Sequence, residues 1–241
     1  MQLFYTTDID DQMAFLSGEE AKHCVKVLRH RVGDEINLMD GVGGNYRASI
    51  IEATKNKVSL RILSHNKTYP HRVGKLHLVI APTKNISRFE WFLEKATEIG
   101  VDEITPILCQ RSERKVVKLE RLEKIILSAA KQSKNTVLPS LNNMIKLSAF
   151  FKMDNLDLSQ KFIAHCENDN EVHLMEKYQA NQDVIILIGP EGDFSPTEIK
   201  DSLEIGFTPV SLGMSRLRTE TAGIVACHTI NLLGKAKLSE K

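Results

Sequence analysis

Two stretches of this chain combine glycine, proline, hydroxyl and charged residues in patterns that suit ligand chemistry. The first is Ile185-Ile186-Leu187-Ile188-Gly189-Pro190-Glu191-Gly192-Asp193-Phe194-Ser195-Pro196-Thr197-Glu198, an apolar run followed by a glycine–proline turn and a helix start. Ser195 suits the N-cap, Pro196 the first helical position and Glu198 the far side of a capping box. Without a Cβ at Gly189 or Gly192, a ligand can approach main-chain N–H and C=O groups closely, as adenine or a sulfonium compound requires. A tight connection that only turns the chain would use the same residues.

The second stretch, Val210-Ser211-Leu212-Gly213-Met214-Ser215-Arg216-Leu217-Arg218-Thr219-Glu220-Thr221-Ala222, again reads strand, glycine, polar loop, helix. Two such loops from neighbouring strands can share one pocket. Arg218, Thr219, Glu220 and Thr221 set a cation, two hydroxyls and a carboxylate around a helix N-terminus, where negative charge is favoured. The bland alternative has Thr219 capping the helix and Glu220 complementing its dipole.

Other chemistries lack their residues. Gly41-Val42-Gly43-Gly44 is glycine-rich, but it has neither the following helix of a dinucleotide fingerprint nor the Gly-Lys-Ser/Thr of a P-loop, so it reads as a hairpin turn. There is no HExxH, GxSxG or kinase motif. Cys24, Cys109, Cys166 and Cys227 are too scattered for a CxxC metal or redox pair and are expected to be buried thiols, with no metal site.

Hydrophobic periodicity outlines the strands and helices that carry the two loops. At 241 residues, 42% hydrophobic and 26% charged, the chain is long enough for one large or two unequal domains. No apolar run is long enough to span a membrane and no signal segment is evident, which points to the cytoplasm. The first seventy residues predict short strands at Gln2 to Thr6, Gly33 to Asp40, Tyr46 to Ala53 and Val58 to Ser64, a small barrel around one helix. Ser17 and Glu20 suggest a capping box for that helix, which would expose His23, Lys26, Arg29, His30 and Arg31. Such a cluster suits RNA backbone contact, or is an ordinary solvated face.

The pattern breaks between Asn66 and Gly74, around Pro70, giving expected domains of 1–70 and 74–241. Beyond it, strands at Leu76 to Ala81 and Ile104 to Leu108 flank a helix from Ile86 that stops at Gly100, with Trp91 and Phe92 read as packing residues. A further helix runs through Leu119 and Ala129. Strands at Phe162 to Cys166, Val184 to Ile188 and Thr208 to Leu212 complete an α/β pattern, a mostly parallel sheet with helices on both faces and ligands at the carboxyl ends of its strands. The window from Leu108 to Lys134 carries eight basic and three acidic residues, enough to supply phosphate contacts.

Gly189-Pro190-Glu191-Gly192, followed by Leu212-Gly213 and Leu217-Arg218-Thr219-Glu220-Thr221-Ala222, resembles the ribosomal small subunit methyltransferase E family. Its members are 16S rRNA (uracil N3)-methyltransferases of the knotted SPOUT class. Val27-Leu28-Arg29, Lys95-Ala96-Thr97-Glu98-Ile99-Gly100-Val101, Arg111-Ser112 and Ala129-Ala130-Lys131-Gln132-Ser133 extend the resemblance over nearly the whole chain.

The resemblance implies an N-terminal PUA-like β-barrel for RNA binding and a C-terminal SPOUT trefoil-knot methyltransferase domain. It implies S-adenosylmethionine, released as S-adenosylhomocysteine, held by Cys166, Gly189, Pro190, Glu191, Gly192, Leu212, Gly213, Leu217, Thr219 and Thr221. Arg218 would stabilise charge on the uracil, and Glu220 or Glu191 would take the imide proton. His23, Lys26, Arg29, Arg111, Arg114 and Lys131 would contact 16S rRNA of the small ribosomal subunit. A homodimer packed through the knot is also implied, with the small residues Ala222, Gly223, Ala226 and Cys227 on its packing side. Three positions depart from the family pattern: Asp193 where glycine is usual, Ser215-Arg216 in place of Arg-Ile, and Asn135 in place of arginine. Two other readings stand beside this one, a knotted methyltransferase acting at another RNA position and a non-enzymatic rRNA-binding assembly factor.

Overall fold

The computed structural model describes residues 2–68, 72–153, 156, 159–166 and 172–234. The chain forms two compact units, one of residues 1–70 with 127–138 and one of residues 71–126 with 139–241. Pro70, where the sequence pattern breaks, lies outside the described residues. The first unit also takes in a segment far along the chain, which a single cut through the sequence does not anticipate.

In the first unit, β1 (Leu3–Tyr5), β2 (Met13–Ser17), β3 (Glu35–Met39), β4 (Gly44–Ala53) and β5 (Lys57–Lys67) form one sheet in the order β1-β3-β4-β5-β2. β1 pairs parallel to β3 and the other pairs are antiparallel. Alternate residues of the strands, among them Phe4, Leu16, Leu38, Ile50 and Leu60, close over one apolar core. The β3–β4 turn uses Asp40, whose Oδ1 accepts from the Val42 and Gly44 N–H groups at 2.8 Å each, with Gly41 and Gly43 at positive φ. β2 escapes the sequence pattern because Asp10-Asp11-Gln12 before it and Ser17-Gly18 after it leave only a short apolar stretch.

The helix after β2 differs from expectation. α1 (Gly18–Lys22) runs into a π-helical turn, His23–Val27, and Ser17 makes no side-chain cap. Glu20 is diverted: its carboxylate accepts from the Tyr5 N–H at 3.3 Å and from Lys131 Nζ at 2.6 Å. Ala130, Leu127 and Leu138 pack with Leu3, Tyr5 and Met39.

The second unit contains β6 (Leu76–Ile80), α2 (Ile86–Ile99), β7 (Glu103–Leu108), the start of α3 (Leu119–Ser133), β8 (Ser140–Leu141), β9 (Ile145–Lys146), α4 (Leu147–Phe150), β10 (Gln160–Ala164), α5 (Leu174–Lys177), β11 (Val184–Ile188), α6 (Pro196–Glu204), β12 (Thr208–Val210) and α7 (Thr219–Leu233). Its strands lie in the order β12-β10-β11-β6-β7-β8, every pair parallel, with β9 also beside β7. All five residues of β11 are buried, as a strand covered on both faces requires. α2 starts where the Asn85 side chain accepts from Ser87 N and stops at Gly100 in the left-handed conformation, φ +108°. Phe92 is fully buried on α2, whereas Trp91 is exposed, since the apolar face of the helix ends beside it.

α7 packs tightly on α2 and β6. A Cβ on Gly223 would stand 2.6 Å from the Phe92 ring and 2.9 Å from Ile80, so only glycine permits this approach. Ala226 and Cys227 are buried with it. Of the four small residues expected on a packing side toward a second copy, Gly223, Ala226 and Cys227 are thus covered by their own chain, and Ala222 is half-buried and lines a cleft. Arg72, with its side chain only 3% exposed, ties the far ends together: its guanidinium donates to the Gly74 and Gly100 carbonyls, Asn231 Oδ1 and the Asp102 carboxylate.

Candidate functional site: a cleft at the carboxyl ends of the central strands

The two loops singled out in the sequence leave β11 and β12, and these are not neighbours. β10 lies between them, pairing with both. The expectation of adjacent strands is corrected, and the correction adds a third wall: Ala164, His165 and Cys166, at the exit of β10, stand in the middle of the site. His165, which the sequence reads as an interior or boundary residue of a strand, lines one lobe just past the end of β10.

The resulting cleft has two lobes. One, of about 290 Å³, is lined by Gly189, Pro190, Glu191, Asp193, Arg218 and Thr219, with Ile188 at its base. The other, of about 270 Å³, is lined by His165, Val210, Ser211, Leu212, Gly213, Met214 and Ser215. Ala164, Cys166, Arg216, Leu217 and Ala222 line both, so the lobes share one wall. Cys166, Gly189, Pro190, Glu191, Leu212, Gly213, Leu217 and Thr219 are thus brought to one cleft, while Gly192 and Thr221 do not line it.

The glycines divide by purpose. A Cβ on Gly189 would lie 3.1 Å from the Phe194 ring, and one on Gly192 would lie 3.2 Å from Arg111 Cβ. At both positions the close approach is made by the protein's own side chains. At Gly213 nothing lies within 4 Å, and φ of +139° is the feature that favours glycine there.

The first loop is braced from outside. Ser195 caps α6 through a capping box with Glu198, as its sequence indicates, and Glu198 Oε1 also accepts from Gln110 N at 2.7 Å. Arg111 Nη1 donates to the Gly192 and Phe194 carbonyls at 3.0 and 3.1 Å. Glu191 Oε1 accepts from Lys84 N at 2.8 Å, and Arg114 Nε donates to Thr83 O at 2.9 Å.

The N-terminus of α7 closes the first lobe. Its N-cap is Arg218, without a side-chain cap, so Thr219 is the first helical residue and not the cap. Thr219 Oγ1 instead donates to Gly189 O at 3.1 Å. The Arg218 guanidinium is exposed on the rim and has no partner among the described residues. Glu220 is the unexpected feature. It lines neither lobe: its side chain is 8% exposed, Oε1 lies 3.9 Å from Arg88 Nε, and the buried Oε2 accepts no hydrogen bond among the described residues. A buried carboxylate oxygen without a donor is costly unless something else supplies one.

Cys24, Cys109 and Cys227 are buried as expected, but Cys166 is exposed in the cleft. Burial pushes the Cys24 thiol up to about 11 and the Cys227 thiol up to about 12. The Cys166 thiol is also raised, by partial burial and then by Asp193, so it stands in the cleft as a neutral wall and not as a nucleophile.

In the first unit, Lys26 and Arg29 are exposed, and Arg29 takes a left-handed φ of +60°. His23 is half-buried beside Phe4, with ring centroids 5.8 Å apart. Lys131 is engaged by Glu20. Among the described residues, no helix is long and apolar enough to cross a membrane, and no three metal-ligating side chains gather.

A mostly parallel sheet with a ligand cleft at its carboxyl ends, preceded by a small curled sheet, defines the class: a SPOUT RNA methyltransferase with a PUA-like N-terminal domain. Residues 70–231 match the RNA methyltransferase domain family, and residues 16–63 match the RNA methyltransferase PUA domain family. The chain is 30% identical to ribosomal RNA small subunit methyltransferase E of Rickettsia conorii, covering 91% of this chain and 89% of that one. Among solved structures, a protein of Porphyromonas gingivalis described as a probable rRNA-methyltransferase is 41% identical, with TM-score 0.89 over 97% of this chain and 98% of that one. Ribosomal RNA small subunit methyltransferase E of Neisseria gonorrhoeae, bound to S-adenosyl methionine, is 27% identical with TM-score 0.83, covering 97% and 98% of the two chains. The protein belongs to the ribosomal RNA small subunit methyltransferase E family.

Proposed function

We propose that this protein transfers a methyl group from S-adenosylmethionine to N3 of a uracil in 16S rRNA. The observation that carries the reading is the two-lobed cleft at the α7 N-terminus, with Glu191 in its lining and, on its rim, the Arg218 guanidinium, which has no partner among the described residues. The cofactor fits: two joined lobes offer room for a nucleoside and an amino-acid moiety, and Gly213 leaves open space where any other residue would place a Cβ. Gly189, Pro190 and Cys166 in one lobe and Leu212, Gly213 and Leu217 in the other would hold it. When bound, S-adenosylmethionine supplies an electrophilic methyl on a sulfonium.

The protein's own groups supply the rest. Uracil N3 must lose a weakly acidic proton, and negative charge then spreads to the flanking carbonyl oxygens. The α7 N-terminus and the Arg218 guanidinium favour that charge. Two carboxylates are candidates for the proton: Glu191 lines the cleft, with Oε1 taken by the Lys84 N–H, and Glu220 lies outside the lining, with Oε2 unpartnered among the described residues. Because N3 lies on the Watson–Crick edge, the uridine must be unpaired or flipped out. Lys26 and Arg29 on the first unit are candidates for RNA backbone contact; His23 and Lys131 are more enclosed, and the Arg111 and Arg114 guanidinium groups are already engaged by loop carbonyls. A homodimer would cover large apolar side chains that α2 and α7 leave exposed, Trp91 at 44% and Leu232 at 57%. A ribosomal RNA substrate would place the protein in the cytoplasm.

Calorimetry with S-adenosylmethionine and nucleoside mass spectrometry of rRNA from a deletion strain test the reading together. Heat of binding with loss of N3-methyluridine is expected. Unchanged N3-methyluridine defeats the uracil N3 assignment, and absence of binding heat defeats the cofactor.

A further inference from the structure

Asp193 lines the first lobe with its backbone in the left-handed region, φ +63°. L side chains avoid this region, although Asp tolerates it better than most. The turn beneath it is closed by the Asp193 N–H donating to Pro190 O at 2.9 Å. From outside, Arg111 holds the carbonyls of the residues on either side, Gly192 and Phe194. With its main chain oriented in this way, the carboxylate faces the β10 exit. Oδ1 accepts from the Phe194 N–H and Oδ2 from the Cys166 N–H, each at 2.8 Å. Cys166 follows the strand that separates the two loops and belongs to the wall shared by both lobes.

We propose that Asp193 is a positioning residue for the cofactor: its carboxylate straps the loop after β10 to the loop after β11 and so holds the cleft at binding width before the cofactor arrives. The inference rests on the cofactor reading above. Charge-assisted hydrogen bonds to main-chain N–H groups are among the stronger ones available, and a cleft ordered in advance loses less entropy on binding. The strap acts through Cys166 and is not assigned to any reacting atom. Its loss should weaken cofactor binding and spare the methyl-transfer step.

Three variants separate the strap from the backbone strain. Asp193→Ala removes the acceptor, Asp193→Gly removes it while relieving the positive φ, and Asp193→Asn keeps an acceptor oxygen and tolerates the conformation. Kinetics with saturating RNA should show KM for S-adenosylmethionine raised about tenfold in the Ala and Gly variants with kcat within about twofold, and the Asn variant, which keeps one neutral acceptor oxygen, between these and wild type. A Gly variant equal to wild type overturns the proposal, because relief of strain alone would then suffice. An Asn variant as weak as Ala overturns it too, as does a fall in kcat at unchanged KM. These patterns leave the cofactor reading itself standing; a wild-type protein that binds no S-adenosylmethionine instead removes that reading and the strap with it.

Discussion

The Thr219 hydroxyl donates to the Gly189 carbonyl across 3.1 Å, joining the first residue of α7 to the first residue after β11. Both residues are buried, and the bond spans thirty positions of sequence. It fixes the helix N-terminus against the loop that forms the other side of the first lobe. Thr219→Val keeps the shape but leaves a buried carbonyl without its donor, at a cost of about 1 to 3 kcal/mol. Urea denaturation should show that loss, with Thr219→Ser recovering most of it.

Arg218 stands one residue earlier with nothing to neutralise it among the described residues. If it meets the developing charge on uracil, Arg218→Ala should lower turnover at least about tenfold, or about 1.4 kcal/mol in barrier, without a change in unfolding midpoint. Single-turnover assays on rRNA measure this. Wild-type turnover would remove Arg218 from the reaction.

Arg72 predicts the opposite pattern, a stability effect remote from the cleft. Its buried guanidinium holds Asp102, the Gly100 carbonyl and Asn231. Arg72→Met should cost about 3 kcal/mol, because it strands the partners of a buried cation. Adding Asp102→Asn should return part of that loss in the same denaturation experiment.

His77 gives stability a dependence on pH. Its ring packs against Phe150, with Nε2 2.7 Å from Thr105 Oγ1. Burial pulls its pKa below the ordinary histidine value, against an opposing pull from Glu103. The unfolded chain therefore takes up the proton first. The stability His77 contributes is present above its unfolded pKa, about 6.5, and is lost as pH falls below that. Thermal unfolding between pH 8 and pH 5 should show this decline, and His77→Asn should flatten it.

Much of the architecture is legible locally. Val184–Ile188 reads as a buried strand because five consecutive apolar residues end at a glycine–proline turn, and its observed limits are the same. Ser195, Pro196 and Glu198 announce α6, and Gly100 ends α2, because caps depend on residues only a few positions apart. The same logic fails at Ser17 and Glu20. There, Glu20 is claimed by Tyr5 and by Lys131, the latter 111 residues away. A capping box is stable only if no better partner comes within reach, and local sequence does not show which distant groups will arrive.

The longer strands and helices, the two glycine loops and the family resemblance could be read from the chain alone, whereas β2, β8, β9, α4 and α5 could not, since periodicity, caps and motifs are written in neighbouring residues and short elements carry too few of them. Folding in three dimensions sets β10 between the two loops and adds Cys166 to their shared wall, fills the space beside Gly223 with Phe92 and Ile80, and leaves Glu220 Oε2 unpartnered among the described residues. Strand order and the partners of buried polar groups are set by contacts between segments distant in the chain. Their free energies exist only once those segments have been packed together.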